Sequence, residues 1–322
     1  MTWLVTGGAG YIGAHVVRSL LTAGEEVVVL DDLSTGTKDN LPAGVTLELG
    51  SVRDRAVVDR ILAERSFDGV VHIAAKKQVG ESVAKPLWYY EENVEGLRVL
   101  LEAVVAAGVK RFLFSSSAAV YGSPPTAVVT EDTATVPMSP YGETKMVGEL
   151  LIRATSAAYG LSYVNLRYFN VAGAGAPELG DTGVFNLIPM IFEQLEAGNP
   201  PRIFGDDYDT PDGTCVRDYI HVADVADAHA AAVKRLLADE QVGLTLNIGR
   251  GEGVSVKQIV AAVRAETGIA IDPVVVARRP GDPDAYAADS GRITAELGWS
   301  AQHDLTEMVS SAWAGWRYRH DG

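Results

Sequence analysis

Residues 6–13 of this chain read Thr-Gly-Gly-Ala-Gly-Tyr-Ile-Gly. They follow the apolar run Trp3–Thr6 and open a segment whose apolar residues Ile12, Val16, Leu20 and Leu21 recur at helical spacing. A strand, a glycine-rich turn and a helix in that order leave few folds open. Gly8, Gly10 and Gly13 fit G-x-G-x-x-G, and Gly7, Gly10 and Gly13 fit G-x-x-G-x-x-G. Glycine is needed where backbone turns tightly and approaches a pyrophosphate, and a helix opening at Tyr11 and Ile12 aims free N–H groups at that anion. Glu26–Leu30 is a β-branched run ending at Asp31, eighteen residues past Gly13 and close to the roughly 20 expected for a carboxylate that accepts bonds from a ribose diol. No Arg or Lys adjoins Asp31 in the sequence. A 2′-phosphate is therefore disfavoured there and NAD is preferred to NADP; an exposed turn aspartate is the alternative.

The alternation continues. Strands are predicted at Val45–Leu49, Val70–Ala74, Arg111–Ser115 and Leu161–Tyr168, with helices at Arg53–Glu64, Leu87–Ala107 and Tyr141–Tyr159. This order implies an α/β protein with a Rossmann-type, doubly wound parallel sheet. After Phe169 the order loosens. Asn170–Thr182 and Pro200–Thr214 read as loops, Phe185–Ala197 and Val222–Leu237 as helices, and Leu244–Gly249 as a strand. Ser255, with Gln258 three residues on, signals a capped helix start. From Ala270 a strand, a Pro-Gly turn and two short helices are expected. The division that follows is a cofactor-binding domain over 1–169, with 220–249 returning to it, and a smaller mixed α/β substrate-binding domain from 170–219 and 250–322.

Composition narrows the partners. The formal net charge of −15 opposes non-specific binding to nucleic acid or anionic membrane, so a phosphorylated ligand needs local basic groups. The single cysteine, Cys215, permits no intramolecular disulfide. With no signal-peptide pattern and no long apolar run, a cytoplasmic protein is expected. His72, His221 and His229 are read as structural, because no metal-ligand spacing is present.

Tyr141 and Lys145 stand four residues apart at the head of a predicted helix, which puts both on one face. A phenol of ordinary pKa about 10 is a poor base at neutral pH, and a nearby ammonium lowers it, so Tyr-x-x-x-Lys is a candidate general-base unit. Alone it is a common surface pair. Here Ser115-Ser116-Ser117 ends a preceding strand, on the side of a parallel sheet where ligands bind. Ser117 is a candidate to bond a substrate hydroxyl and relay its proton, with capping of the strand end as the alternative.

The glycine loop, Ser117 and Tyr141-Gly-Glu-Thr-Lys145 together resemble the extended branch of the short-chain dehydrogenase/reductase superfamily. Gly80-Glu81-Ser82, Arg167-Tyr168-Phe169-Asn170, Asp206–Asp212, Arg217-Asp218-Tyr219-Ile220-His221-Val222 and Arg278-Arg279-Pro280-Gly281-Asp282 are similar to the UDP-glucose 4-epimerase family within it. The similarity runs from residue 2 to 318. It implies bound NAD, interconversion of UDP-glucose and UDP-galactose through a 4-keto sugar, and a homodimer packed through helices near 93–107 and 141–159. It further implies that Lys77 meets the cofactor pyrophosphate, that Ser51, Val52, Asn93 and Phe169 border the cofactor, and that Asn170 and Asn186 touch the UDP-sugar. Arg217 and Arg279 then hold the diphosphate, Asp282 the uridine ribose and Tyr219 the nucleotide. Tyr286 borders the sugar as a gate that leaves no room for a 2-acetamido group.

Two departures stand out. Ser51 replaces the usual aspartate that accepts a bond from the adenine amino group, and Ile73-Ala74-Ala75-Lys76 replaces the commoner Phe-Ala-Gly-Leu. Ala118 and Ala119 follow Ser117 where related dehydratases carry an acidic pair. Retention of Ser117, Tyr141 and Lys145 together argues against a non-catalytic NAD-sensing module. Other UDP-sugar epimerases and decarboxylases remain alternatives.

Overall fold

The computed structural model describes residues 1–239, 241–278 and 283–320. Seven parallel strands form the main sheet, in the spatial order Gly243–Ile248, Ser162–Tyr168, Arg111–Ser117, Gly69–His72, Thr2–Thr6, Glu26–Asp31 and Thr46–Leu49. The order reverses between Thr2–Thr6 and Gly69–His72, so a crevice opens there outside the carboxyl ends of the strands.

Side-chain alternation along each strand builds a core on both faces. Trp3 and Val5 join Val16, Val17 and Leu20 of helix Tyr11–Thr22 and Val225, Ala228 and Leu236 of helix Val222–Ala238. Leu4 and Leu30 point the other way, against Ile61 and Leu62 of helix Arg55–Glu64, Leu97 and Leu100 of helix Gly96–Ala106, and Ile152 of helix Pro140–Tyr159. Each such fully buried aliphatic chain contributes about 1.5–3 kcal/mol.

The second half adds a small mixed sheet. Val216–His221 pairs with Gly253–Ser255 antiparallel, and with Ala285–Ala288 and Asn170–Ala172 in parallel. Val128–Val129 extends it through Ala285–Ala288, and Arg202–Phe204 pairs with Val274–Val276. Asn170–Ala172 and Arg202–Phe204 lie inside segments that read as loops. Their strands are three residues long and form only by pairing with chain far away in sequence. Likewise Leu305–His320 is one 16-residue helix, not a short one.

The predicted helix Leu87–Ala107 is interrupted. An α-helical turn at Pro86–Tyr89 passes into a π-helical stretch, Tyr90–Glu95, before the α-helix resumes at Gly96. Such stretches gather at functional positions, and Asn93 lies within this one. No described helix is long and apolar enough to cross a membrane.

Candidate active site

The glycine turn is built for close approach. Gly7 adopts φ +74°, and a Cβ there would stand 2.6 Å from the Ala74 nitrogen; one on Gly13 would stand 2.0 Å from the Gly7 carbonyl oxygen. Gly10 precedes helix Tyr11–Thr22 with no side-chain cap, which leaves first-turn N–H groups of Tyr11 and Ile12 for a ligand anion. Asp31 is buried at the end of its strand. Its Oδ2 accepts from the Ala9 N–H and its Oδ1 from the Leu33 N–H, both at 2.9 Å. Each oxygen keeps lone-pair capacity, as a ribose diol requires. Burial raises the Asp31 pKa, against the pull of those two bonds. A bare glycine cradle ending on a spare carboxylate fits a dinucleotide.

The neighbouring residues divide. Ser51 Oγ accepts from the Arg53 N–H at 3.2 Å, and Val52 packs into the core. Lys77 lies with its Nζ 5.7 Å from the centre of the Tyr11 ring, and the Tyr11 hydroxyl donates to the Gly173 carbonyl at 2.6 Å. Asn93 is already engaged by protein. Its Oδ1 accepts from the Lys76 N–H, and its Nδ2 donates to the Lys76 carbonyl and the Thr144 hydroxyl. It fixes the loop after Gly69–His72.

Helix Pro140–Tyr159 starts with Ser139 as cap, its side chain accepting from the Gly142 N–H, and with Pro140 in the first turn. It lies close on strand Arg111–Ser117, since a Cβ on Gly148 would stand 2.7 Å from the Phe114 ring and one on Gly142 2.6 Å from the Ala119 carbonyl. That contact delivers Tyr141 and Lys145 to the strand's carboxyl end. Lys145 is buried and donates from Nζ to the Ser115 carbonyl at 2.7 Å, 6.0 Å from the Tyr141 ring centre. Burial lowers its pKa to about 7, with Glu149 pulling the other way. Ser117 caps the short helical turn Ala118–Tyr121, its Oγ accepting from the Ala119 N–H at 3.1 Å. Its hydroxyl proton remains available to Tyr141 or to a substrate oxygen.

The sequence expectation that Lys145 draws the phenol down is not met by the protein alone. Removal from water raises the Tyr141 pKa, and only a hydrogen bond with Ser117 opposes this. The ammonium is spent on the Ser115 carbonyl, and the low polarity around it disfavours charge on both groups.

Beside this edge lies a cavity of about 800 Å³. Lys77 and Tyr11 line its cofactor end, and Asn170, Arg217, Tyr219 and Tyr286 its wall. Ser117, Tyr141, Lys145 and Phe169 do not line it. Phe169 is buried beside Ala118 and Val120 and stands 5.6 Å from the Tyr286 ring. The Arg217 guanidinium sits 5.3 Å from the centre of the same Tyr286 ring, and Arg217 and Tyr286 are partners in adjacent strands. Asn186 precedes helix Leu187–Glu196 without capping it; its Nδ2 donates to Asp181 at 2.8 Å. Arg279 and Asp282 lie outside the described residues. Asp181 and Phe204, both lining the cavity, carry no sequence signal that would single them out. The described residues hold no group of histidine, cysteine and acidic side chains fit for a metal ion.

Comparisons with known proteins identify the family. The family model described as the NAD dependent epimerase/dehydratase family matches residues 3–249. A UDP-glucose 4-epimerase of Azospirillum brasilense is 43% identical over 97% of this chain and 91% of its own length. Among solved structures, a UDP-glucose 4-epimerase from Stenotrophomonas maltophila with bound NAD and formylated UDP-arabinopyranose is 40% identical. It superposes with a TM-score of 0.95 over 100% of this chain and 99% of that one. One from Bifidobacterium longum in complex with NAD+ and UDP is 38% identical, with a TM-score of 0.91 over the same shares. The chain belongs to the NAD-dependent epimerase/dehydratase family, and within it to the UDP-glucose 4-epimerases.

Proposed function

We propose that this chain interconverts UDP-glucose and UDP-galactose by inverting C4 of the sugar, with NAD held throughout the cycle. The observation that carries the reading is the meeting of Tyr141, Lys145 and Ser117 at the carboxyl end of the sheet, in a chain that also has the bare glycine cradle and an 800 Å³ cavity lined by Tyr11 and Lys77. When bound, NAD supplies the hydride acceptor and donor for C4, and its cationic nicotinamide favours the Tyr141 phenolate. Gly7, Gly10, Gly13 and Asp31 hold the dinucleotide, with Lys77 at its pyrophosphate. Tyr141 takes the O4 proton, directly or through Ser117, and later returns it. Lys145 keeps the Tyr141 side of the helix locked to the strand through its bond to the Ser115 carbonyl. Arg217 provides the local positive charge for the UDP diphosphate that the net charge of −15 denies elsewhere. Anchoring at UDP leaves the hexose end free to turn, so that its other face meets the same groups. Incubation with UDP-galactose, followed by identification of the product, tests the reading; formation of UDP-glucose supports it, and a dehydrated or decarboxylated product overturns it.

The reading includes the division into cofactor and substrate domains given above, a homodimer and a cytoplasmic location.

Tyr286 limits the sugar that can turn. Its ring is held between Phe169 and Arg217 at the cavity wall, so a 2-acetamido group meets an aromatic that cannot swing away freely. Overpacking of this kind costs about 1–3 kcal/mol, or about ten- to a hundredfold in rate. The unmutated protein is expected to process UDP-N-acetylglucosamine poorly, and Tyr286→Ser to gain that activity. Turnover of both substrate pairs by both proteins decides it, and equal N-acetyl turnover in the two removes the gate.

A further inference from the structure

Asp31 has no basic neighbour in the sequence, but it has one in space. The strand that ends at Asp31 runs into a tight turn in which Leu33 takes φ +56°, the Leu33 N–H is held by Asp31, and the Ser34 N–H is held by Asp32 Oδ1 at 2.8 Å. Lys76 reaches this turn from the loop after Gly69–His72, and its Nζ donates to the Ser34 hydroxyl at 2.9 Å. Its backbone is pinned at both the N–H and the carbonyl by the buried Asn93. Its ammonium also stands 5.4 Å from the centre of the Trp88 ring. The lysine is therefore positioned at a fixed place, and its charge is felt by both Asp31 and Asp32.

A carboxylate at Asp31 that accepts from a ribose diol repels a phosphate on the 2′-oxygen. A cation bound to Ser34, three residues further along the same turn, acts with the opposite sign. We propose that Lys76 is a specificity-determining residue, one that weakens this chain's discrimination between NAD and its 2′-phosphorylated form by offering that phosphate an ammonium. This rests on Asp31 being the ribose contact of the proposed function. Asp31 still makes NAD the preferred cofactor, and Lys76 narrows the margin. If Lys76 instead only balances the two aspartates, both dinucleotides feel its loss alike.

Competition for the holoprotein separates these outcomes. The protein is equilibrated with NAD and NADP, at ratios from equal amounts to a thousandfold excess of NADP. Free nucleotide is then removed, and the dinucleotide released on denaturation is quantified. Lys76→Gln keeps a side chain able to bond Ser34 but removes the charge; Lys76→Leu removes both; Lys76→Arg keeps the charge. The NADP share is expected to fall about tenfold in the Gln and Leu variants, the scale of one partly solvated ion pair, and to persist in the Arg variant. NAD retention should change by less than about twofold. Raising salt should narrow the difference in NADP share between the unmutated protein and Lys76→Gln, because it screens the attraction of the ammonium. An unchanged ratio in the Gln and Leu variants overturns the proposal, as does NADP that never displaces NAD from the unmutated protein. The readout is bound nucleotide, so it stands or fails independently of sugar turnover.

Discussion

Tyr141→Phe is expected to lower epimerase turnover by about 10²-fold or more, the usual scale for a lost proton-transfer group, while leaving the fold and nucleotide binding intact. The ring remains to pack at the head of helix Pro140–Tyr159, and the capping by Ser139 and the Lys145 bond to Ser115 do not involve the phenol oxygen. What disappears is the one hydroxyl that meets Ser117. Because the protein alone raises the phenol's pKa, ionisation of Tyr141 should depend on the cofactor's charge. In the unmutated holoprotein the ionisation of Tyr141, followed by phenolate absorbance against Tyr141→Phe, should therefore shift to higher pH when the nicotinamide is reduced to its neutral form. Turnover with UDP-galactose, NAD content and the thermal midpoint check the variant together. Near-normal turnover removes Tyr141 from the role of base; lost NAD content shows that the substitution acts on binding instead.

Acidification from pH 7.5 to 5 is expected to cost the fold about 5 kcal/mol. His72, His221 and His229 are buried and held neutral, with pKa values lowered to about 3, 4 and 4 by loss of water around them. His229 donates from Nδ1 to the Val225 carbonyl, leaving Nε2 to accept from the Tyr168 hydroxyl at 2.5 Å; protonation would remove that acceptor. In the unfolded chain the same groups take protons near pH 6.5, so below this the unfolded state binds more protons and stability falls with pH. The loss begins as pH drops through about 6.5 and grows until the folded-state values are reached. By pH 5 each histidine contributes about 2 kcal/mol. Asp218 opposes them. Burial raises its pKa to about 6, so the folded state takes up its proton first, which returns about 1 kcal/mol between pH 6 and 5. Denaturant unfolding at fixed NAD across this range measures the difference. A flat profile between pH 7.5 and 5 would contradict the neutral-histidine account.

The strand, glycine turn, helix and Asp31 were legible because each needs only neighbours in sequence: apolar spacing, missing side chains and a distance of eighteen residues. The four-residue spacing of Tyr141 and Lys145 was legible for the same reason, and so was the Ser255–Gln258 capping box, which the structure forms in full. The short strands at Val128–Val129, Asn170–Ala172 and Arg202–Phe204 were not, since two or three residues hold no period and their partners are distant. The Lys76–Ser34 bond spans 42 residues, beyond any local pattern. The bonds of Asn93 to the loop at Lys76 and the helix at Thr144 span 17 and 51 residues, and no local pattern announces them. The phenol's acidity failed as a sequence inference because spacing records which charge is near, not how much water has been removed.

The π-helical stretch at Tyr90–Glu95 bears on how this protein could be damaged. A π turn accommodates one residue more than the α turn it replaces, and each α-helical residue advances the helix by about 100°. Deleting a single residue there would let Pro86–Ala106 run on as regular α-helix, with the core contacts of Leu97, Leu100 and Val104 kept. Everything before the deletion would rotate by about that angle. Asn93 would lose the Lys76 backbone, and Tyr89 the Gln78 N–H that its hydroxyl now accepts. Such a lesion is silent in circular dichroism, and helix content is unchanged or slightly improved. The loop that carries both Lys76 and Lys77 is nonetheless left without its brace.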